Sequence, residues 1–325
     1  MKEILMMKGA KKLVDICGKV QPGEKVLIVS DFEMVSIARA VAAAAHQRNA
    51  EVVISLMAPR KMHNEPLPDT VAEAMKKAHI IFAPTKWSIA HTDARIEATK
   101  AGVRIINMPS YKEETLISGG IDLDFEKQAS LVKKVAMALT EAKVARVVTP
   151  LGTDITLGIE GRSGAALTGL SHEPGVFCTP PDVEARVTPL EGTSEGIIIV
   201  DGSIPVPEIG VITEPIKVTV KEGNAAKIEG GKQAQIFSDI LKNAADPGAY
   251  NIAELGIGLN PMSRIIGVMV EDEGSFGTVH IAVGTSAAFG GKVKTRLHLD
   301  MMIRQPTVTL DDRVILDKGN LYIGS

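Results

Sequence analysis

The sequence predicts an α/β N-terminal domain built on a parallel sheet, followed by a β-rich α+β C-terminal domain that binds metal. Three observations carry this reading. Over residues 1–142, short β-branched runs alternate with alanine-rich helical segments, the pattern of parallel strands joined by helical crossovers. From residue 143 to 325 the texture changes to short strand-like runs broken by Gly, Pro, Asp and Asn, with little helix. Toward the C-terminus, Gly274, Gly277, Gly284, Gly290 and Gly291 surround two histidines, which suggests short strands, tight turns and close backbone approach.

The elements follow in order. Strands are expected at Glu24–Ser30, Glu51–Met57, His79–Thr85 and Val103–Met108. Helices are expected between them, at Met34–Gln47, near Asp69–Lys77 and near Thr92–Ala101. A helix near Asp124–Ala142 leads out of the first domain. In the second, strand-like runs fall at Ala145–Val148, Asp154–Ile159, Gly196–Val200 and Ile216–Val220, with one helix near Gln233–Asn243. Parallel sheets bind ligands at the carboxyl ends of their strands. Neither a G-x-G-x-x-G after the first strand nor a phosphate-binding G-x-x-x-x-G-K-[ST] occurs, so no nucleotide cofactor is expected.

Composition narrows the function classes. A chain of 325 residues is long for one core and fits two domains. At 45% hydrophobic and 23% charged it has the balance of a soluble globular protein. A net charge of −3 offers no basic surface for nucleic acid, and 3% aromatics leave few platforms for stacking bases. Cys17 and Cys178 lie far apart without C-x-x-C spacing, which excludes a zinc ribbon or disulfide framework and fits a reducing cytoplasm. No stretch is apolar enough to act as a signal peptide or to span a membrane.

The chemistry concentrates in Gly277-Thr-Val-His-Ile-Ala-Val-Gly284 and Leu297-His298-Leu299-Asp300. On a strand, residues i and i+2 share a face, so His298 and Asp300 present an imidazole and a carboxylate side by side. Upstream, Asn251 to Pro261 places Glu254 in a similar small-residue segment. A carboxylate buried among apolar strands is costly unless compensated, and a metal compensates it. His46, His63, His79 and His172 carry no such context and read as ordinary histidines. The run Glu271-Asp272-Glu273 reads as a solvated turn. Arg162 and Arg296 are candidates for holding a substrate carboxylate.

Along nearly its whole length the chain resembles the superfamily of aminopeptidase T metallopeptidases and 2,5-dihydroxypyridine 5,6-dioxygenases. The N-terminal cues are Met57–Arg60, Asn64–Pro68 and Ser88–Arg95. The more specific C-terminal cues are Thr153–Thr156 with Glu160–Arg162, Asn251–Pro261, Gly277–Gly284 and Leu297–Met301. The peptidase resemblance implies a site for two divalent metals held by Glu184, Glu254, His280, His298 and Asp300, with Glu184 and Glu254 also the candidate catalytic carboxylates. Glu184 lies in Pro181–Pro189, whose flanks depart from the peptidase pattern. The catalytic tyrosine of the peptidases, seven residues beyond the match to His280, is Ala287 here, with Tyr250 a conceivable replacement. The dioxygenase resemblance implies a single Fe(II), with its His-Leu-Asp pair on His298 and Asp300 and its first histidine on Glu254. Chain length and Gly290–Thr295 are closer to the dioxygenases.

The ligand set makes amide or peptide hydrolysis by metal-activated water the leading expectation, with one or two ions of Zn, Co or Mn and a small-molecule or short-peptide substrate. A non-haem Fe(II) ring-cleaving dioxygenase is the alternative. A non-catalytic metal or small-molecule binder is the third. The resemblance also implies a homodimer or higher homo-oligomer.

Overall fold

Apolar runs and alanine-rich segments in the first part of the chain fold into a five-stranded parallel sheet. In the computed structural model, which describes residues 2–323, the strand order is Glu51–Met57, Lys25–Asp31, Ile80–Thr85, Arg104–Pro109 and Phe177–Cys178. Ile80–Thr85 and Arg104–Pro109 are buried at every position, as a parallel sheet covered on both faces requires. The crossovers are the helices Val35–Gln47, Asp69–Met75 and Asp93–Lys100. Thr92 caps the last of these, its side chain accepting the Arg95 amide. An additional helix, Lys2–Lys12, buries Met6, Gly9 and Ala10. A Cβ at Gly9 would strike the Leu116 backbone, so glycine permits that close approach.

Helix Phe125–Glu141 carries the chain into a second unit made mainly of antiparallel sheet. One sheet has eight strands, in the order Asn224–Glu229, Ile216–Lys221, Glu195–Val200, Asp154–Gly158, Val144–Val148, Thr307–Leu310, Arg313–Asp317 and Asn320–Leu321. The other has five: His298–Arg304, Thr278–Gly284, Ile252–Gly258, Glu184–Val187 and Ala165–Leu167. The helix expected near residue 233 is Lys232–Asn243. An α/β part plus a β-rich part is the fold class read from the sequence.

The chain crosses between its two units more than once, where a single division after residue 142 was expected. One unit comprises Met1–Gln128 and Thr168–Pro181, the other Ala129–Leu167 and Asp182–Ser325. The return of Thr168–Pro181 adds Phe177–Cys178 alongside Ile105 and Ile106. A two-residue strand has no periodicity to read, so this pairing leaves no mark in the sequence. No helix among the described residues is long and apolar enough to cross a membrane.

The run Glu271-Asp272-Glu273 is not a solvated turn. Helix Met269–Asp272 buries Glu271 and Asp272, and Glu273 is half-buried. Asp272 accepts hydrogen bonds from Ser203 Oγ at 2.5 Å and from the amides of Ile266, Gly267 and Val268 at 2.8, 2.9 and 3.3 Å. Four donors offset the desolvation of one carboxylate, which is why an acidic run can go inside. Asp272→Ala strands those donors and is expected to cost about 3 kcal/mol of stability, with Asp272→Asn costing less. Urea unfolding midpoints measure both, and an unchanged Asp272→Ala midpoint would refute this role.

Candidate metal centre

Alternation along four neighbouring strands sorts the site onto one sheet face. Leu255, Ile257, Val279, Ile281, Val283, Leu299, Met301 and Ile303 occupy the opposite face and are buried hydrophobics. The functional face carries Glu184 and Arg186, then Glu254, then His280, then His298 and Asp300. Small residues separate them in register. Gly256 pairs with both Arg186 and His280, and Ala282 pairs with both Glu254 and Asp300. A Cβ on Gly256 would collide with the His280 imidazole and come within 2.8 Å of Glu184 Oε2. The glycine is therefore the space in which the ring lies.

The side chains converge. His280 Nε2 lies 3.1 Å from Glu184 Oε2, 3.5 Å from Glu254 Oε1 and 4.0 Å from Asp300 Oδ1. His298 Nε2 lies 3.4 Å from Glu254 Oε2 and 3.5 Å from Asp300 Oδ1. One ligand atom from each of Glu184, Glu254 and His280 fits within a mutual spacing of 4.8 Å, so this trio can hold a metal ion. On its other side, His298 Nδ1 is 3.0 Å from the Thr285 carbonyl. A ring N–H donated there turns Nε2 toward the carboxylates, the arrangement typical of a metal-binding histidine.

Local chemistry fits a divalent cation. Glu184 Oε2, His280 Nδ1 and Asp182 Oδ1 are buried without hydrogen-bond partners. Five carboxylates (Asp182, Glu184, Glu254, Glu273 and Asp300) influence one another here, against Arg186 and two imidazoles. Burial, partly opposed by Arg186 and reinforced by Glu254 and Asp300, pushes Asp182 up to about 8. Burial and the Asp182 charge push Glu184 well above the usual carboxylate range, and burial and Asp300 do the same to Glu273. Burial works against ionisation of Glu254, yet Arg186, His280 and His298 hold it well below its ordinary value. Asp300 is held low against burial by His298. Burial would lower both histidines, but Glu184, Glu254 and Asp300 raise His280 to about 9, and Asp300 and Glu254 raise His298 to about 10. Such a pattern marks a surplus of negative charge, which a bound cation relieves.

All five residues singled out from the sequence thus meet on one face. Asp182, Glu273 and Arg186 were missed. Asp182 and Arg186 flank Glu184 at i±2, so strand alternation alone would have put Arg186 on the Glu184 face. The arginines singled out lie elsewhere: Arg162 pairs with Glu191 at 2.7 Å and donates to the Gly290 carbonyl, and Arg296 is exposed. Tyr250 ends a short 3-10 turn, half-buried, and Ala287 begins another. Three of the remaining histidines act locally: the ring nitrogens of His63 and His79 accept backbone amides, and that of His172 pairs with the Ile16 carbonyl, while His46 is exposed.

A family profile described as 2,5-dihydroxypyridine 5,6-dioxygenase matches residues 6–323. The chain belongs to this family. A relative, the 2,5-dihydroxypyridine 5,6-dioxygenase of Pseudomonas putida, is 25% identical over 243 residues, covering 72% of this chain and 68% of that protein. The solved structure of 2,5-dihydroxypyridine dioxygenase from the same species matches with a TM-score of 0.85 at 20% identity, over 99% of this chain and 98% of that one. Wild-type AmpT from Thermus thermophilus matches with a TM-score of 0.69 at 16% identity, over 99% of this chain and all of that one. The two structural likenesses establish a shared fold.

Family membership makes this an enzyme of a dioxygenase family and overturns the expectation of amide hydrolysis. That expectation rested on ligand types, and carboxylates with imidazoles hold metals for many reactions. Ala287, where the peptidases were expected to carry a catalytic tyrosine, agrees with the correction.

Two outcomes follow from this geometry. Gly256→Ala displaces the His280 ring and is expected to weaken divalent-metal binding by about 10-fold or more, read by chelator competition. The second concerns pH. His280 and His298 are raised above an ordinary value of 6.5, so their stabilisation is present below pH 6.5 and lost as pH climbs through about 9 and about 10. Asp182, raised from 3.8 to about 8, acts in the same direction. Metal-free protein should therefore melt at a lower temperature at pH 9.5 than at pH 6.5. Metal affinity should rise over the same interval as protons leave the ligands. A metal-free melting temperature that rises with pH contradicts the assignment.

Proposed function

We propose that this chain is an Fe(II)-dependent dioxygenase that opens a hydroxylated nitrogen-heteroaromatic ring, with 2,5-dihydroxypyridine as the representative substrate. The observation that carries the reading is the match of a 2,5-dihydroxypyridine 5,6-dioxygenase profile to almost the whole chain, over residues 6–323. The convergence of His298, Asp300, Glu254 and His280 in one buried face supports it. Two imidazoles and a carboxylate with open positions suit non-haem Fe(II).

In this reading His298 and Asp300 hold the ion together with His280 and Glu254. Fe(II), when bound, supplies the one-electron chemistry that lets O2 react with a closed-shell ring. The Thr285 carbonyl fixes the His298 tautomer, and Arg186 fixes Glu254 through contacts of 3.2 and 3.3 Å. Glu184, whose Oε2 lies 3.1 Å from His280 Nε2, stands behind these ligands and would orient the His280 ring. Both oxygen atoms of O2 enter the product as one ring carbon–carbon bond breaks, so no external reductant is consumed.

The test is protein purified anaerobically and loaded with Fe(II). Oxygen uptake with 2,5-dihydroxypyridine should be lost on chelation, return with Fe(II) but not Zn(II), and fall at least about 1000-fold in His298→Ala. Iron-loaded protein that takes up no oxygen with any hydroxylated pyridine refutes the reading.

A further inference from the structure

Among the described residues Arg186 is the one guanidinium on the metal-site face, and its contacts leave part of it unused. Nη1 makes all its hydrogen bonds among the described residues, both to Glu254. Nε is buried without a hydrogen-bond partner among the described residues, and Glu184 Oε1 is 3.9 Å from it. Nη2 also has no hydrogen-bond partner among the described residues. Yet 22% of the side chain remains accessible, whereas Glu184 and Glu254 are 2% exposed. A guanidinium serving only to offset ligand charge would be expected to direct its bidentate edge at a carboxylate. Here that edge, Nε with Nη2, is spare.

Phe289 packs against this group. Its ring lies over the Arg186 guanidinium at 4.0 Å and meets the His298 ring edge-on at 5.1 Å between centroids. The phenylalanine is itself tied down: its carbonyl accepts Thr188 Oγ1 at 2.8 Å, and the next carbonyl, Gly290, accepts Arg162. One aromatic ring thus touches both a candidate metal ligand and the spare cation, setting the distance between them. An arginine fork recognises planar anions, and a lysine ammonium does not reproduce it.

We propose that Arg186 is the substrate anchor of this site, with Nη2 hydrogen-bonding an oxygen anion on the hydroxylated ring while Phe289, packed over the guanidinium, limits its movement. The substrate class is then a hydroxyheteroaromatic bound as its oxyanion, an inference that rests on the dioxygenase reading above. Arg186 recognises the ring, and Phe289 is a positioning residue. Strand alternation puts Arg186 on the Glu184 face, but an arginine two residues from a glutamate reads as an ordinary ion pair, and nothing in the sequence marks Phe289.

The experiment measures binding without turnover, by anaerobic calorimetry on the Fe(II)-loaded protein. The ligands are 2,5-dihydroxypyridine and its 5-methyl ether, which cannot ionise at that oxygen; iron content is assayed for every variant. Wild type should prefer the free hydroxyl. Arg186→Gln should retain its iron, bind the dihydroxypyridine about 10- to 100-fold more weakly, and bind the ether almost unchanged, so that the preference collapses. Arg186→Lys should recover part of it, and Phe289→Ala should weaken the preference with arginine intact. Equal losses for both ligands, or an undiminished preference in Arg186→Gln, overturn the anchor and leave the dioxygenase reading standing. Iron lost from both Arg186 variants also overturns the anchor, since the residue then serves Glu254 alone. If wild type takes up oxygen with the dihydroxypyridine but shows no preference over the ether, only the anchor fails. If wild type binds neither ring and takes up no oxygen, both readings fail.

Discussion

The structure around the site depends on one electrostatic constraint: among the described residues, Glu184, Glu254 and Asp300 on one buried sheet face, with Asp182 and Glu273 beside it, influence one another against one guanidinium and two imidazoles. Bringing carboxylates out of water is expensive, and bringing several together multiplies the cost. The opposed shifts of neighbouring groups show how the strain divides. Glu254, held low chiefly by Arg186, and Asp300, held low by His298, favour their ionised forms, whereas burial drives Asp182, Glu184 and Glu273 toward their neutral forms. A divalent ion resolves the conflict more completely than any rearrangement of protons. The back of the same sheet supplies the counterweight. Its uninterrupted Val, Ile, Leu and Met layer fixes the register that keeps the polar set in place.

Much of this was legible in the sequence for a plain reason. A strand alternates strictly, so His298-x-Asp300 already specifies two side chains on one face, and the glycines around Glu254 and His280 already suggest room between strands. The parallel sheet was readable because each strand is a compact β-branched run followed by a helical period. What stayed hidden was whatever depends on partners distant in sequence. Nothing local distinguishes the buried Asp272, held by Ser203 and three amides, from an acidic turn in water. The strand Phe177–Cys178 is too short to show a pattern, and Arg186 hid behind Glu184.

The reaction was the least legible part, and the reason is chemical. Glu, Asp and His are the common vocabulary of sites for hard and borderline divalent ions, so their presence says that a metal binds and little about what the metal does. The fold adds no discrimination, since proteins named for a dioxygenase and for an aminopeptidase both match nearly all of this chain. Discrimination lies in the residues around the ligands. Ala287 removes one expected participant in hydrolysis. Phe289, two residues further along the same short turn, presents an aromatic ring to His298 and Arg186 instead.

That exchange suggests how one donor set can be turned to different chemistry. The turn Ala287–Phe289 belongs to the segment that supplies the Thr285 carbonyl to His298, so a substitution within it can alter the metal's surroundings without altering a ligand. Its anchors are outside the metal cluster: Thr188 on one side, and Arg162 with Glu191 on the other. The residues that hold the ion and the Phe289 turn beside them are therefore held by different parts of the chain. The first group is fixed by strand register, the second by a loop pinned at both ends. A register shift would destroy the site outright, whereas a change in the loop would reach the ligands only through Phe289 and the Thr285 carbonyl. With Arg186 as the proposed ring anchor, selectivity falls to that strand residue and the Phe289 turn, and affinity for the ion to the sheet.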